Sequence, residues 1–184
     1  LCGLACTPYE QPTQAGQQAQ PTKPDSMSAP DTLPPNRFRQ AVMAMKEISY
    51  QLQEYEEKPA ADNMFNKKIR RLNVLFKKSG KALIDTISTE ELQQVRHAFV
   101  KSSRPLSPRL YPRAHIESWE FSSQAAAQQA LQQLDALKNG HAWTQISKSP
   151  ISYFQKQNEI MLIVPGGFYM LKEVPQIVQF LQDY

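Results

Sequence analysis

From His115 to Tyr184 the apolar residues change period from two to 3.6 and back again, a pattern that admits few folds. In His115–Phe121 (HIESWEF), Trp119 and Phe121 fall on one side and Ser118 and Glu120 on the other, as in a half-buried strand. Ser122 and Ser123 offer an N-cap, and Gln124–Lys138 reads as a helix stopped by Asn139-Gly140. Its stripe of Ala127, Ala130, Leu131, Leu134 and Leu137 suits a helix lying on a sheet. Three strand-like runs follow, Trp143–Ile146, Ile151–Phe154 and Ile160–Val164, and a Pro165-Gly166-Gly167 turn leads to a fourth, Phe168–Leu171. Pro175 fits the first turn of a closing helix that turns Val174, Ile177, Val178 and Leu181 inward. The block 115–184 is therefore expected to form a small β-α-β-β-β-α sandwich of the α+β class, with no reaction centre in its pattern.

Ahead of it, residues 36–103 read as a region of three helices. In Asn36–Glu57 the residues Phe38, Ala41, Val42, Met45, Ile48, Leu52 and Tyr55 recur at threes and fours, which predicts an amphipathic helix of about six turns. Pro59 stops it, Asp62 is the expected cap of a second helix, Asn63–Ser79, and Gly80 ends that one. Phe65, Ile69, Leu72 and Phe76 form its inner stripe. The first helix would end in Glu54, Glu56 and Glu57, the wrong sign for its dipole, and a helical hairpin would bring these carboxylates to Lys67 and Lys68. Ser88-Thr89-Glu90-Glu91 has the form of a capping box and predicts a third helix with Leu92, Val95 and Phe99 inward. Proline recurs through Arg104–Arg113 (RPLSPRLYPR), so residues 104–114 are a non-helical connector.

Charge is placed unevenly. Residues 62–114 hold 12 Lys/Arg against 4 Asp/Glu, while the flanking segments are each slightly acidic and the whole chain is +4. Lys67, Lys68, Arg70, Arg71, Lys77, Lys78 and Lys81 lie between Asn63 and Asp85 with no acid among them, and form the candidate surface for an anionic partner. A solvated face balanced by the acidic first helix is the alternative. The candidate partners are a lipid headgroup, an anionic polymer or an acidic protein. Nucleic acid is disfavoured, because no aromatic platform is interleaved with the charges.

Reaction chemistry leaves little trace. His97, His115 and His141 fall in different elements without ligand spacing, and lone histidines of this kind usually sit at surfaces or caps. No nucleophile elbow, phosphate loop or zinc-protease motif occurs, so neither a metal nor a cofactor is expected. Glu117 and Glu120, three apart on a strand, face opposite sides and cannot serve together as acid and base. The reading is of a protein that binds or scaffolds; the first alternative is a basic nucleic-acid-binding domain that is not exported, and the more remote one an enzyme whose site is too dispersed to see.

Cys2 and Cys6 are the only cysteines, which excludes a disulfide framework in the folded part. The opening Leu1-Cys2-Gly3-Leu4-Ala5-Cys6 resembles the end of a bacterial lipoprotein signal peptide, with Ala5 and Cys6 matching the pattern and Gly3 and Leu4 departing from it. That resemblance implies lipidation of Cys6 and a periplasmic, membrane-anchored protein, at the outer membrane. Thr7–Pro35 is rich in Pro, Gln, Thr and Ser, too poor in apolar residues to offset its chain entropy, and reads as a disordered tether. A flexible chain of that length spans roughly 30 Å. The organisation expected is thus residues 1–6 anchor, 7–35 tether, 36–103 helical region, 104–114 connector and 115–184 α+β domain.

In outline, EFSSQAAAQQALQQL followed by IMLIVPGGF is similar to the SPOR peptidoglycan-binding domain over about the last 70 residues. Ser118 and Glu120 stand where that family has its first-strand glutamine and glycine, and no strand follows the last helix, so no binding residues are carried over.

Overall fold

The computed structural model describes residues 36–78, 80, 87–138 and 150–184. Among these residues, four α-helices are interleaved with a five-stranded antiparallel sheet. In chain order they are α1 (Arg37–Ala44), β1 (Tyr50–Lys58), α2 (Met64–Lys78), β2 (Leu92–Ser102), β3 (Arg113–Phe121), α3 (Gln124–Lys138), β4 (Ser152–Lys156), β5 (Glu159–Pro165) and α4 (Val174–Asp183). The strand order is β1-β2-β3-β5-β4.

Strand alternation sends residues to two cores, one on each face of the sheet. On one face Val95, Trp119, Phe121, Ile160 and Leu162 meet Phe65 and Ile69 of α2 and Ala127, Ala130 and Leu134 of α3. On the other, Ala98, Val100, Ala114, Ile116 and Ile163 meet Phe38 and Val42 of α1 and Ile177 and Leu181 of α4. Trp119, fully buried near the end of β3, is the largest of these side chains. A sheet covered on both faces explains why the β5 run Ile160–Val164 is apolar throughout and does not alternate.

The three-helix expectation for residues 36–103 is overturned in two places. The first helix ends at Ala44 and continues only as a 3-10 turn, Met45–Ile48, before Ser49 at φ 70° reverses the chain into β1. The apolar spacing of three between Leu52 and Tyr55 comes from a β-bulge at Gln53. Leu52 pairs with Val100 and Tyr55 with Ala98, so both face α1 although they are three residues apart. The third expected helix is β2. A second register shift between Leu92 and Gln94 puts Leu92 and Val95 on one face by the same device. Ser88–Glu91 serves as a turn into this strand, with Leu92 N–H donating to the Thr89 carbonyl at 3.2 Å.

The acidic residues at the end of β1 consequently never meet Lys67 and Lys68 in a helical hairpin. Glu56 pairs with Lys58 at 2.9 Å, and Lys67 pairs with Asp62 at 3.6 Å. β1 and β2 also extend the sheet of β3, so the expected helical region and the C-terminal block share one sheet.

Within 115–184 the elements fall close to expectation. Ser123 caps α3, its hydroxyl accepting from Ala126 N–H at 3.1 Å. The expected strand Trp143–Ile146 lies outside the described residues. Phe168–Leu171 is not a strand: Phe168–Met170 is a 3-10 turn, with Met170 N–H donating to Gly167 O at 3.1 Å. Burying Met170 in the core, with Phe168 left outside, requires the tight turn.

Candidate functional site

Helix α2 carries all the candidate basic residues except Lys81, and its seating is specified by several hydrogen bonds. Its cap is Asn63, not Asp62: Asn63 Oδ1 accepts from Asn66 N–H at 2.7 Å. Glu117 of β3, fully buried, accepts the Met64 N–H on both carboxylate oxygens at 3.1 Å and the Trp119 Nε1–H at 2.9 Å. A carboxylate at a helix N-terminus meets unpaired amides and the positive end of the dipole. Asn66, also buried, donates to Ile87 O at 2.9 Å and accepts Ile87 N–H at 3.0 Å, as a strand neighbour would. Phe65 packs edge-on against Trp119, ring centres 6.2 Å apart.

Because Phe65 and Ile69 point down, helical geometry turns Lys67, Arg70, Arg71, Lys77 and Lys78 out to solvent, all exposed. Val74 and Leu75 stand among them at 57% and 59% exposure, a large apolar exposure for an outer helix face. Lys77 and Lys78 complement the dipole in the last turn. Lys68 departs from the group. It is half-buried on the Glu117 side, and burial lowers its pKa while the Glu117 charge works against that shift. Lys81 and the expected lipidation site Cys6 lie outside the described residues.

Beneath α2 sits a polar group that sequence spacing did not reveal. His97 of β2 and His115 of β3 lie on the same face, with Nε2 of His97 3.0 Å from Nδ1 of His115 and the rings stacked. Burial, then the charge of Lys58 and the His115 ring, pushes His97 down to about 4, against an opposing pull from Glu56. His115 is lowered chiefly by burial as well. Burial raises Glu117, opposed by its hydrogen bonds from Trp119 and Met64. Glu117 is 0% and His97 8% exposed, while His115 is half-buried, and through Met64 N–H the Glu117 carboxylate helps to seat α2. The signal that could have found it is β2 read as a strand, since residues 97 and 115 then share a face. His141 lies outside the described residues.

On the opposite face Arg96 ties together four strands. Its guanidinium reaches Glu120, Gln94 at 2.8 Å, Glu159 at 3.6 Å and Glu57 at 4.0 Å. Asn36 joins the same group through Tyr55 OH at 2.6 Å and Glu57 at 2.8 Å. Glu120 thus lies across the sheet from Glu117, as their spacing requires. Among the described residues no three His, Cys, Asp or Glu side chains are placed to hold a metal ion, and no helix is long and apolar enough to cross a membrane.

No protein-family model, curated protein or solved structure matches this chain.

Proposed function

We propose that the chain is a non-catalytic binding or scaffolding module of a bacterial cell envelope, tethered by lipid at Cys6 on the periplasmic side of the outer membrane. Its folded part contacts an anionic envelope component or acidic protein through the outer face of α2. The observation that carries this reading is the exposure of Lys67, Arg70, Arg71, Lys77 and Lys78 on a helix whose inner face and N-terminus are firmly seated. The lipoprotein-like Ala5-Cys6 and the Pro/Gln-rich stretch after it support the setting.

The test is the triple change Arg71→Glu, Lys77→Glu and Lys78→Glu. Exposed changes of this kind cost about 0.5 kcal/mol or less each, so melting should hardly move. Pull-down on purified cell-wall sacculi, phosphatidylglycerol vesicles and an acidic protein should lose its signal for one of them, and native binding should weaken as salt rises. Undiminished binding by the triple variant would remove α2 as the contact. Duplex DNA is the control, and capture of DNA alone would favour a nucleic-acid-binding domain that is not exported.

A further inference from the structure

A second exposed apolar surface lies away from α2, at the end of the sheet where β2 passes to β3. Ser103–Pro112 forms an arm closed by Leu106 N–H to Leu110 O at 2.8 Å and Leu110 N–H to Ser107 O at 2.9 Å, with Arg109 at φ 71° in its turn. Leu106, Leu110 and Tyr111 are 45%, 37% and 38% exposed. Beside the arm is the corner after β5, where Phe168 and Leu171 are 64% and 53% exposed. The corner is fastened to the first residue of β3, directly after the arm: Gly166 N–H donates to Arg113 O at 2.8 Å, and Arg113 N–H points at Met170 Sδ at 3.2 Å. Leu106 and Glu173 both line a groove of about 310 Å³, with Ile48 and Ser49 on it as well.

Exposed cations stand close to these residues in the chain or in space. They are Lys101, whose Nζ lies 5.0 Å over the Tyr111 ring, Arg104, Arg109, Arg113 and Lys172. The acids nearby are Glu47 and Glu173, both on the groove, and Glu173 is half-buried beside Tyr50 OH. Part of the arm's backbone is already satisfied. Pro105, Pro108 and Pro112 have no N–H, and Ser102, Ser103, Arg104, Leu106 and Leu110 donate theirs within the protein. These groups enter a low-dielectric region with little loss of hydrogen bonds.

We propose that this end of the sheet is a membrane-contact surface. Leu106, Leu110, Tyr111, Phe168 and Leu171 enter the boundary between headgroups and acyl chains, while the neighbouring Lys and Arg side chains reach back to lipid phosphates. A bilayer fits better than a protein partner for two reasons. The apolar side chains stand in two connecting segments and not on one helix or strand face, and the neighbouring exposed cations complement an anionic lipid surface. This surface shares no residue with the outer face of α2, so the two readings fail separately.

The experiment uses the full chain with Cys6→Ser, which removes any acyl anchor, and vesicles of phosphatidylcholine with or without phosphatidylglycerol. A Phe168→Trp variant is compared with its parent to subtract the signals of Trp119 and Trp143. Position 168 should shift to the blue on anionic vesicles and be quenched by lipids brominated in the acyl chain. Leu106→Asp with Leu171→Asp should keep the parental melting temperature and lower vesicle partition at least tenfold. Absence of quenching at position 168 overturns the proposal, as does unchanged partition of the Asp variant. So does an Asp variant that keeps vesicle binding but loses an acidic protein, since the surface would then serve a protein. If only the triple α2 variant abolishes vesicle binding, the contact belongs to α2 and the proposal is again overturned.

Discussion

His97 Nε2 and His115 Nδ1 face each other at 3.0 Å across adjacent strands beneath α2, and burial lowers the pKa of both rings. The groups around them are Glu54, Glu56 and Lys58 of β1, Lys68 of α2, and Arg113 and Glu117 on β3. Both histidines have folded pKa values below the ordinary value near 6.5, so between about pH 6.5 and 4 the unfolded chain binds protons that the folded chain does not. Stability should therefore fall as pH drops through that window, by on the order of 2 kcal/mol from His97. Denaturant midpoints at pH 7.5 and 4.5 measure this. His97→Gln should flatten the dependence, and an equally steep profile in that variant would place its source elsewhere.

Glu117 acts with the opposite sign. Its folded pKa is raised above the unfolded carboxyl value, so it favours the folded state more as pH falls from the folded pKa toward the unfolded one. Glu117→Gln removes this offset and should steepen the loss of stability on acidification. Glu117→Ala instead strips the acceptor from Met64 N–H and Trp119 Nε1–H together, and should cost about 3 kcal/mol at neutral pH. An Ala variant as stable as the parent would mean that these buried donors find another partner.

The bulge in β1 gives an unusual deletion prediction. With Gln53 removed, Leu52 still meets Val100, Glu54 still meets Phe99 and Tyr55 still meets Ala98, now in regular pairing. The deletion should leave a cooperative fold, with a change on the order of 1 kcal/mol. Deleting Phe99 from the regular part of β2 exchanges the faces of the residues beyond it and should abolish folding. Circular dichroism melts distinguish the two. Equal disruption by both deletions would show that Gln53 is needed for more than its extra length.

Local pattern was enough for α2, α3, β5 and α4, because each buries one continuous stripe or run and its period reports that burial directly; β3 reads as a strand, but the Ser118 side expected to be polar is buried as well. Ile69 in α2, Leu134 in α3 and Ile177 in α4 occupy the inward positions their spacing predicts. The outward cations of α2 were legible for the same reason. Lys68 was not, because nothing near it in the chain announces the buried carboxylate of Glu117.

Strands β1 and β2 were misread for a physical reason. A β-bulge adds one residue to one side of a pair and turns the strand period of two into a spacing of three, which in a one-dimensional pattern is the mark of a helix. Glu54, Glu56 and Glu57, at odds with a helix dipole, were the one local hint against helix. The meeting of His97 with His115, the gathering of Glu57, Glu120 and Glu159 on Arg96, and the fastening of the Phe168 corner to Arg113 all join residues far apart in the chain. Such contacts arise from strand order and register, which depend on how distant segments pack and leave no periodic trace in any one of them.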